Sequence, residues 1–129
     1  MSDQFISTFD EQGYFSVIFS SKRTPSDDGY QSMAQRMAKL AAAQDGYLGM
    51  ESVRDSAGNG ITVSYWKSLD RIKSWKHHTE HLVAQRYGKD KWYSEYALRI
   101  AHVREDRYFF HRQGTIPTGR IYIKETDER

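Results

Sequence analysis

The sequence predicts an α+β fold of the ferredoxin-like type, an antiparallel four-stranded sheet with two helices on one face. Apolar and aromatic residues alternate in four stretches, which indicates strands. In two further stretches they recur at three- and four-residue spacing, which indicates helices. The stretches follow one another as strand, helix, strand, strand, helix, strand. A length of 129 residues suits one domain.

Each element has its own signals at its ends. Ser26, Asp27 and Asp28 are residue types that cap a helix, and Ser68 has the same role before the second helix. Two glycines between residues 55 and 60 favour a hairpin. In chain order, the six predicted elements are strand 14–21, a helix to about residue 44, strand 47–54, strand 60–66, a helix from residue 69 to about residue 88, and strand 96–109.

Strands one, three and four carry apolar side chains on both faces, and the two helices cover only one face of the sheet. Val17 and Ile18 illustrate this for strand one, since successive side chains point to opposite sides. A bare apolar sheet face promotes aggregation, whereas a second copy packed sheet against sheet buries it. We therefore expect a homodimer.

Composition and motifs exclude several classes of protein. Lys and Arg number 19 against 17 Asp and Glu, and they are interleaved rather than gathered in the basic stripe of a nucleic-acid binder. Cysteine is absent, which excludes disulfides and thiolate metal sites. No apolar run approaches the roughly 18 residues of a membrane span, and the start lacks a signal-peptide pattern, so we expect a cytoplasmic protein. Nucleotide-binding and serine-hydrolase motifs are also missing.

Residues 60–93 form the stretch where we expect a chemical site, because aromatic and imidazole side chains concentrate there. The stretch holds all three tryptophans and three of the five histidines, namely Trp66, Trp75, Trp92, His77, His78 and His81. The histidine spacing suits a shared metal, but no third ligand is evident, so we predict no metal site. His102, on an apolar strand face, is either a packed residue or a further base.

Three motifs give the chain a family resemblance. Gly46-Tyr47-Leu48-Gly49, then Tyr65-Trp66-Lys67-Ser68, then Trp75, resemble the antibiotic biosynthesis monooxygenase (ABM) superfamily over about residues 14–110. The resemblance implies dimeric α+β barrels, whose members include cofactor-free oxygenases, haem-degrading enzymes and proteins of unknown role. It implies an ABM-like domain over residues 1–111. Residues 112–129 then form a tail, which we interpret as an edge strand at the dimer interface.

The haem-degrading branch matches this chain poorly. The resemblance would require an Asn on strand one, a Trp on helix two and a His ten residues after that Trp. Trp75 matches the Trp, but Gln85 stands where the His belongs, and residues 14–21 contain no Asn. Haem degradation is therefore the less favoured alternative.

The cofactor-free branch needs a base for a phenol and a dry aromatic pocket, and histidine suits the base. We predict a monooxygenase that uses molecular oxygen on a small aromatic or quinol-like substrate, with no tightly held cofactor. The catalytic candidates are His78, His81 and Trp75. The substrate-binding candidates are Trp66, Tyr65, Gln85, Trp92, Tyr93, Arg99 and His102. The alternative is a non-catalytic ligand-binding or stress-related dimer, in which these side chains only pack.

Overall fold

Six elements form one antiparallel sheet and two helices, in the order that the sequence predicts. The computed structural model describes residues 4–26, 29–86 and 92–111, with the backbone alone over residues 79–86. The elements are β1 (Phe15–Arg23), α1 (Tyr30–Ala42), β2 (Tyr47–Arg54), β3 (Asn59–Trp66), α2 (Leu69–Arg86) and β4 (Tyr93–His102). The strand order is β2-β3-β1-β4, with every pair antiparallel. The prediction of a ferredoxin-like α+β fold is confirmed.

The fourth strand begins and ends earlier than the sequence predicts. It begins at Tyr93, which pairs with Arg23 at the end of β1, so residues 93–95, expected to lie between the helix and the strand, belong to the strand. It ends at His102 because its pairing partner there, Phe15, is the first residue of β1. The next residue, Val103, still donates its N–H across to the chain before β1, at 2.8 Å. Beyond that point β1 offers no further partner.

The start of α1 also differs from the expected cap. Gly29 is the N-cap residue, with a left-handed φ of 79° and no side-chain cap hydrogen bond. Glycine adopts this conformation without the steric cost that a Cβ imposes. Ser26 lies in the preceding connection, where its carbonyl accepts a 2.5 Å hydrogen bond from Arg23 Nη2. The expected caps Asp27 and Asp28 lie outside the described residues.

Both helices pack against one side of the sheet, here called the helix face. The core there consists of buried Val17, Ala41, Trp66 and Ile72, with half-buried Phe15, Tyr47, Trp75 and Leu98 packed against them. Trp66 and Ile72 have no exposed surface. At roughly 1.5–3 kcal/mol for each large apolar side chain buried, this cluster is a main source of stability.

The other side of the sheet, here called the open face, is covered at one end by the N-terminal strap, residues 4–13. Ser7 donates its N–H to Glu51 Oε2 and its hydroxyl to the Met50 carbonyl, both at 2.9 Å. The ring of Phe9 packs 5.2 Å from the ring of Tyr65, between centroids. Because Glu51 and Tyr65 both project from the open face, the strap lies directly on the sheet.

Tyr14 secures the end of the strap where the strap meets β1. Its side chain is 4% exposed, and its hydroxyl donates to Asp106, whose Oδ2 also accepts the Tyr108 hydroxyl at 3.0 Å. Burial first, and then the bond to Asp106, raises the pKa of Tyr14 well above its usual value near 10. The segment after β4 is thereby tied to the segment before β1.

Beyond the strap, the open face is bare among the residues that the structure describes. Val53 is 59% exposed and Ile61 is 48% exposed. A hollow of about 760 Å³ lies here, with Lys22, Glu95 and Arg99 at its charged rim, and Arg54 and Tyr96 also contribute to its lining. Within the described ranges, no helix has the length and apolar character needed to cross a bilayer.

Raising the pH above 10 should destabilise the folded state in a way that depends on Tyr14. The unfolded phenol loses its proton near pH 10, whereas the folded phenol holds its proton to higher pH, so the free energy of unfolding falls as pH rises. Tyr14→Phe should be less stable by about 1 kcal/mol at neutral pH. Its free energy of unfolding should fall less steeply as the pH rises. Urea unfolding from pH 8 to 11 checks this, and parallel curves for the two proteins would contradict it.

Candidate functional site

A row of four rings crosses the helix face, one ring from each strand. The register places Trp66 opposite both Tyr47 and Phe15, and Phe15 opposite His102. Paired residues project from the same face, so these rings become neighbours. The Phe15 and His102 rings stack at 4.7 Å between centroids, and Tyr47 meets Trp66 edge-on at 5.5 Å. The row gives this end of the sheet a continuous aromatic surface.

Helix α2 places a second aromatic layer over the row. The Trp75 ring lies 6.1 Å from the Trp66 ring, between centroids, with only 26° between their planes. His78 follows at 6.0 Å from Trp75. Residues three apart lie on the same side of a helix, which is why the indole and the imidazole are adjacent. Trp75 is half-buried and His78 is exposed, so the imidazole stands at the solvent edge of the layer.

A hydrogen bond fixes the orientation of the lower indole. Trp66 Nε1 donates to Ser64 Oγ at 2.9 Å, and both residues are buried. A buried indole N–H needs such an acceptor, because leaving it unpaired costs about 1–3 kcal/mol. The bond therefore holds Trp66 in the plane against which Trp75 stacks.

The aromatic row continues into an apolar strip along the edge strand β4. This helix-face strip consists of Tyr96, Leu98, Ile100 and His102, which alternate toward the helices. Tyr96 is 39% exposed and Ile100 is 42% exposed, so the helices leave part of it accessible. At about 3.3 Å per residue, the strip is roughly 20 Å long. A flat or elongated apolar molecule fits such a surface, with imidazoles near one end to accept a proton.

Four of the predicted site residues meet at that end of the helix face, namely Trp66, Trp75, His78 and His102. Trp92 and Tyr93 lie at the opposite end, beside the start of α1. Trp92 is 1% exposed and packs edge-on to Tyr30, with 5.9 Å between ring centroids. Tyr93 packs against Phe19 at 5.4 Å. The structure thus places these two far along the sheet from the Trp75 layer.

Tyr65 and Arg99 lie on the open face, away from the other candidates. The Tyr65 hydroxyl donates to Glu51 Oε1 at 2.7 Å; burial first, and then this bond, raises the pKa of Tyr65. Arg99 points into the hollow. Because successive side chains of a strand point to opposite faces, Tyr65 projects away from Trp66, and Arg99 projects away from His102. The side chains of His81 and Gln85, which α2 carries, lie outside the described residues.

Sequence reasoning missed Phe15, Tyr47 and Ser64 as parts of the site. Alternation gives the face on which Phe15 projects, but its position between Trp66 and His102 depends on pairing between strands far apart in the sequence. The only local signal was for Ser64, two residues before Trp66 on the same face of β3. Among the described side chains, no three His, Asp or Glu residues gather closely enough to hold a metal ion.

Comparison with known proteins identifies the family of the chain. A family described as "Monooxygenase af470-like" matches residues 18–114. The chain belongs to this family. Uncharacterized protein YqjZ of Bacillus subtilis is 51% identical over 105 residues, which cover 81% of this chain and 92% of that protein. Jasmonate monooxygenase ABM of Pyricularia oryzae is 29% identical over 94 residues, which cover 69% of this chain but 43% of that protein.

Solved structures share the fold of the chain but little of its sequence. SnoaB, a cofactor-independent oxygenase from Streptomyces nogalater, has a TM-score of 0.57 at 14% identity, over 73% of this chain and 96% of that one. Rv0793 from Mycobacterium tuberculosis has a TM-score of 0.60 at 12% identity, over 72% and 97%. At these identities the likeness shows a shared fold. The resemblance to the ABM superfamily is confirmed.

Removing the acceptor of the Trp66 indole should loosen the aromatic layers. Ser64→Ala should destabilise the protein by about 1–3 kcal/mol and weaken its near-ultraviolet circular dichroism, because Trp66 loses its fixed orientation. Ser52→Ala is the matched control, since the Ser52 hydroxyl also takes part in a side-chain hydrogen bond, with the Thr62 hydroxyl at 2.6 Å, but Ser52 is exposed. Its effect should stay within about 0.5 kcal/mol. Equal effects of the two substitutions on urea unfolding would contradict the role of Ser64.

Proposed function

We propose that this member of the monooxygenase family oxidises a small phenolic or quinol-like aromatic on the helix face, with the substrate itself as the electron donor. The layered arrangement of Trp66, Trp75 and His78 carries the proposal, because it joins a rigid apolar stacking surface to an imidazole at its rim. Two relatives support an oxygenase by name, SnoaB as a cofactor-independent oxygenase and the Pyricularia oryzae protein as a monooxygenase.

The proposed reaction converts a phenol and one O₂ into a quinone and one water. Loss of the phenol proton makes the ring electron-rich enough to pass one electron to O₂, giving a phenoxyl radical and superoxide. Their combination at the ring carbon para to the oxygen forms a C–O bond, and protonation gives a hydroperoxide. Cleavage of its O–O bond, with loss of the hydrogen on that carbon, leaves the quinone carbonyl and releases water. The substrate supplies every electron that O₂ gains.

The protein contributes a base and a surface that excludes water from one side of the ring. The imidazoles of His78 and His102 flank the aromatic end of the face and are the candidate bases there; His81 is a third candidate from its position in the sequence. Histidine suits this role because its usual pKa lies near neutrality. Trp75 offers its ring for stacking, which orients the substrate and shields the radical pair from solvent.

Oxygen uptake with a panel of hydroxylated polycyclic phenols tests the proposal. We expect uptake with at least one member, and a drop of about 100-fold or more in kcat when the imidazole that acts as base is replaced by alanine. The single variants are His78→Ala, His81→Ala and His102→Ala. Trp75→Phe should raise KM, because a smaller ring gives less stacking surface.

His77→Ala is the matched control for these variants, because His77 is the exposed neighbour of His78 on the same helix. It should behave like the unmodified protein. Absence of uptake across the whole panel, or equal losses in His77→Ala and every other histidine variant, would contradict an oxygenase that uses an imidazole base. Binding of the phenols without uptake would favour the non-catalytic ligand-binding alternative.

We further propose that the protein is a homodimer that buries the open face. Val53 on the edge strand β2 and Ile61 on the inner strand β3 are exposed apolar residues, and both line the hollow of about 760 Å³. The strap leaves this part of the face bare, so a second copy has access to it. The tail, residues 112–129, remains a proposed contributor to the interface and lies outside the described residues.

Substitutions of two side chains that are equally exposed to solvent test the interface. Ile61→Lys places a charge on the open face, and Leu69→Lys places one at the start of α2, where the side chain is 46% exposed against 48% for Ile61. Light scattering should show a dimer for the unmodified protein and for Leu69→Lys, but a monomer for Ile61→Lys. A monomeric unmodified protein, or a dimer that survives Ile61→Lys, would contradict the proposed interface.

A further inference from the structure

The end of the helix face opposite to Trp75 carries a cationic and phenolic group of side chains. This arginine–tyrosine cluster consists of Arg23, Tyr30, Arg54 and Tyr93. It adjoins Tyr96, which stands at the end of the helix-face strip opposite to His102. The Tyr96 ring lies 6.0 Å from the Tyr93 ring, between centroids. The strip therefore has an aromatic, imidazole-bearing end and a cationic end, with apolar Leu98 and Ile100 between them.

Arg54 is held in place by neutral oxygen atoms. Its guanidinium lies directly over Gly60, where a Cβ would come within 2.5 Å of Arg54 Cζ. Nη1 donates to the Gly58 carbonyl at 2.5 Å, and Nη2 donates to Ser21 Oγ at 2.8 Å. Ser21 is paired with Tyr96, so these bonds draw the guanidinium across β3 toward the strip. Among the described side chains, no carboxylate lies within ion-pair distance of Arg54.

Arg23 adds a second positive charge to the cluster, beside the start of α1. The Arg23 guanidinium carbon lies 3.5 Å from the centroid of the Tyr30 ring, a cation–π contact. Burial, followed by a hydrogen bond to Tyr30, raises the pKa of Tyr93, while Arg54 and Arg23 act in the opposite direction. The rings of Tyr30 and Tyr93 meet edge-on, with 5.9 Å between their centroids, so the two phenols are neighbours within the cluster.

From this cluster we infer that the helix face accepts an elongated apolar molecule ending in a carboxylate, with the carboxylate bound by the Arg54 guanidinium and the Tyr30 hydroxyl. A guanidinium and a phenol donate the short, charge-assisted bonds that a carboxylate accepts best. The apolar body lies along Ile100 and Leu98, and its far end reaches the Trp75 layer. The inference rests on the proposed use of the helix face as the substrate site, and it adds the chemical class of the substrate.

The chain's own acidic residues are the competing occupant of the cluster. Asp27 and Asp28 directly precede the Gly29 cap of α1 in the sequence and lie outside the described residues. If their carboxylates fill the cluster, an acidic ligand gains nothing from it. The test must therefore compare a carboxylate with a neutral molecule of the same shape.

Pyrenebutanoic acid and pyrenebutanol form such a pair, and their own fluorescence reports binding. Neither is a phenol, so binding is measured without turnover. The acid should bind the unmodified protein about tenfold more tightly than the alcohol, the equivalent of one charge-assisted hydrogen bond. In Arg54→Gln, the affinity for the acid should fall to the affinity for the alcohol. The affinity for the alcohol should be unchanged. Circular dichroism confirms that the variant is folded.

Arg71→Gln is the matched control, because Arg71 is an exposed arginine that pairs with Asp45 at 2.9 Å, near the start of α2. It should preserve the tenfold difference. Gly60→Ala is a second variant, since its methyl group displaces the Arg54 guanidinium without removing the charge. It should weaken binding of the acid alone, which separates the position of the guanidinium from net charge.

Three results with bound probes would overturn the inference. They are equal affinity for acid and alcohol in the unmodified protein, equal weakening of both ligands by Arg54→Gln, and loss of the preference in Arg71→Gln. Failure of both probes to bind would overturn it as well. Oxygen uptake with phenols is measured separately, so a failure of the carboxylate preference and a failure of the oxygenase proposal remain distinguishable.

Discussion

The pairing of β1 with both of its neighbours is the constraint on which the rest of the structure depends. Because β1 is central and antiparallel to β3 and β4, one register sets Trp66, Phe15 and His102 side by side. A shift of β1 by one residue would turn Phe15 and the other helix-face side chains of β1 to the opposite face. The aromatic row, the seat for α2 and the helix-face strip all follow from this alignment.

The alignment also separates two surfaces with different chemistry. On the helix face, the buried indole of Trp66 supports Trp75, and the exposed parts of the strip are aromatic, aliphatic and imidazole. On the open face, Tyr65 and its hydrogen-bond partner Glu51 lie under the strap, and the remainder is an apolar floor with charges at its rim. We propose chemistry for the first surface and subunit contact for the second.

The sequence predicts the fold well because periodicity is local. The element order and the alternation along each strand were readable from residue types, and the bounds of β2 agree with the prediction. The end of β4 was not readable, because it depends on where β1 begins. The cap of α1 was also missed, since Gly29 takes a left-handed conformation where polar caps were available nearby.

The structure brings together only some of the predicted site residues, for a related reason. Residue type alone selected Trp75 and the histidines, and the predicted set combined residues from both faces, such as Tyr65 with Trp66 and Arg99 with His102. The alternation of side chains along a strand already places the two members of each pair on opposite faces of the sheet. The position of Arg54 over Gly60 was beyond sequence reasoning, because it requires the path of a long side chain across a neighbouring strand.

The central claim is that the helix face, and not the open face, is where a small aromatic molecule binds. A crystal structure of the protein soaked with a hydroxylated polycyclic phenol, under anaerobic conditions that prevent turnover, tests it most directly. We expect density stacked on Trp75 or Phe15, with the phenol oxygen within hydrogen-bond distance of an imidazole. Density confined to the open-face hollow beside Ile61 and Arg99 would contradict the claim.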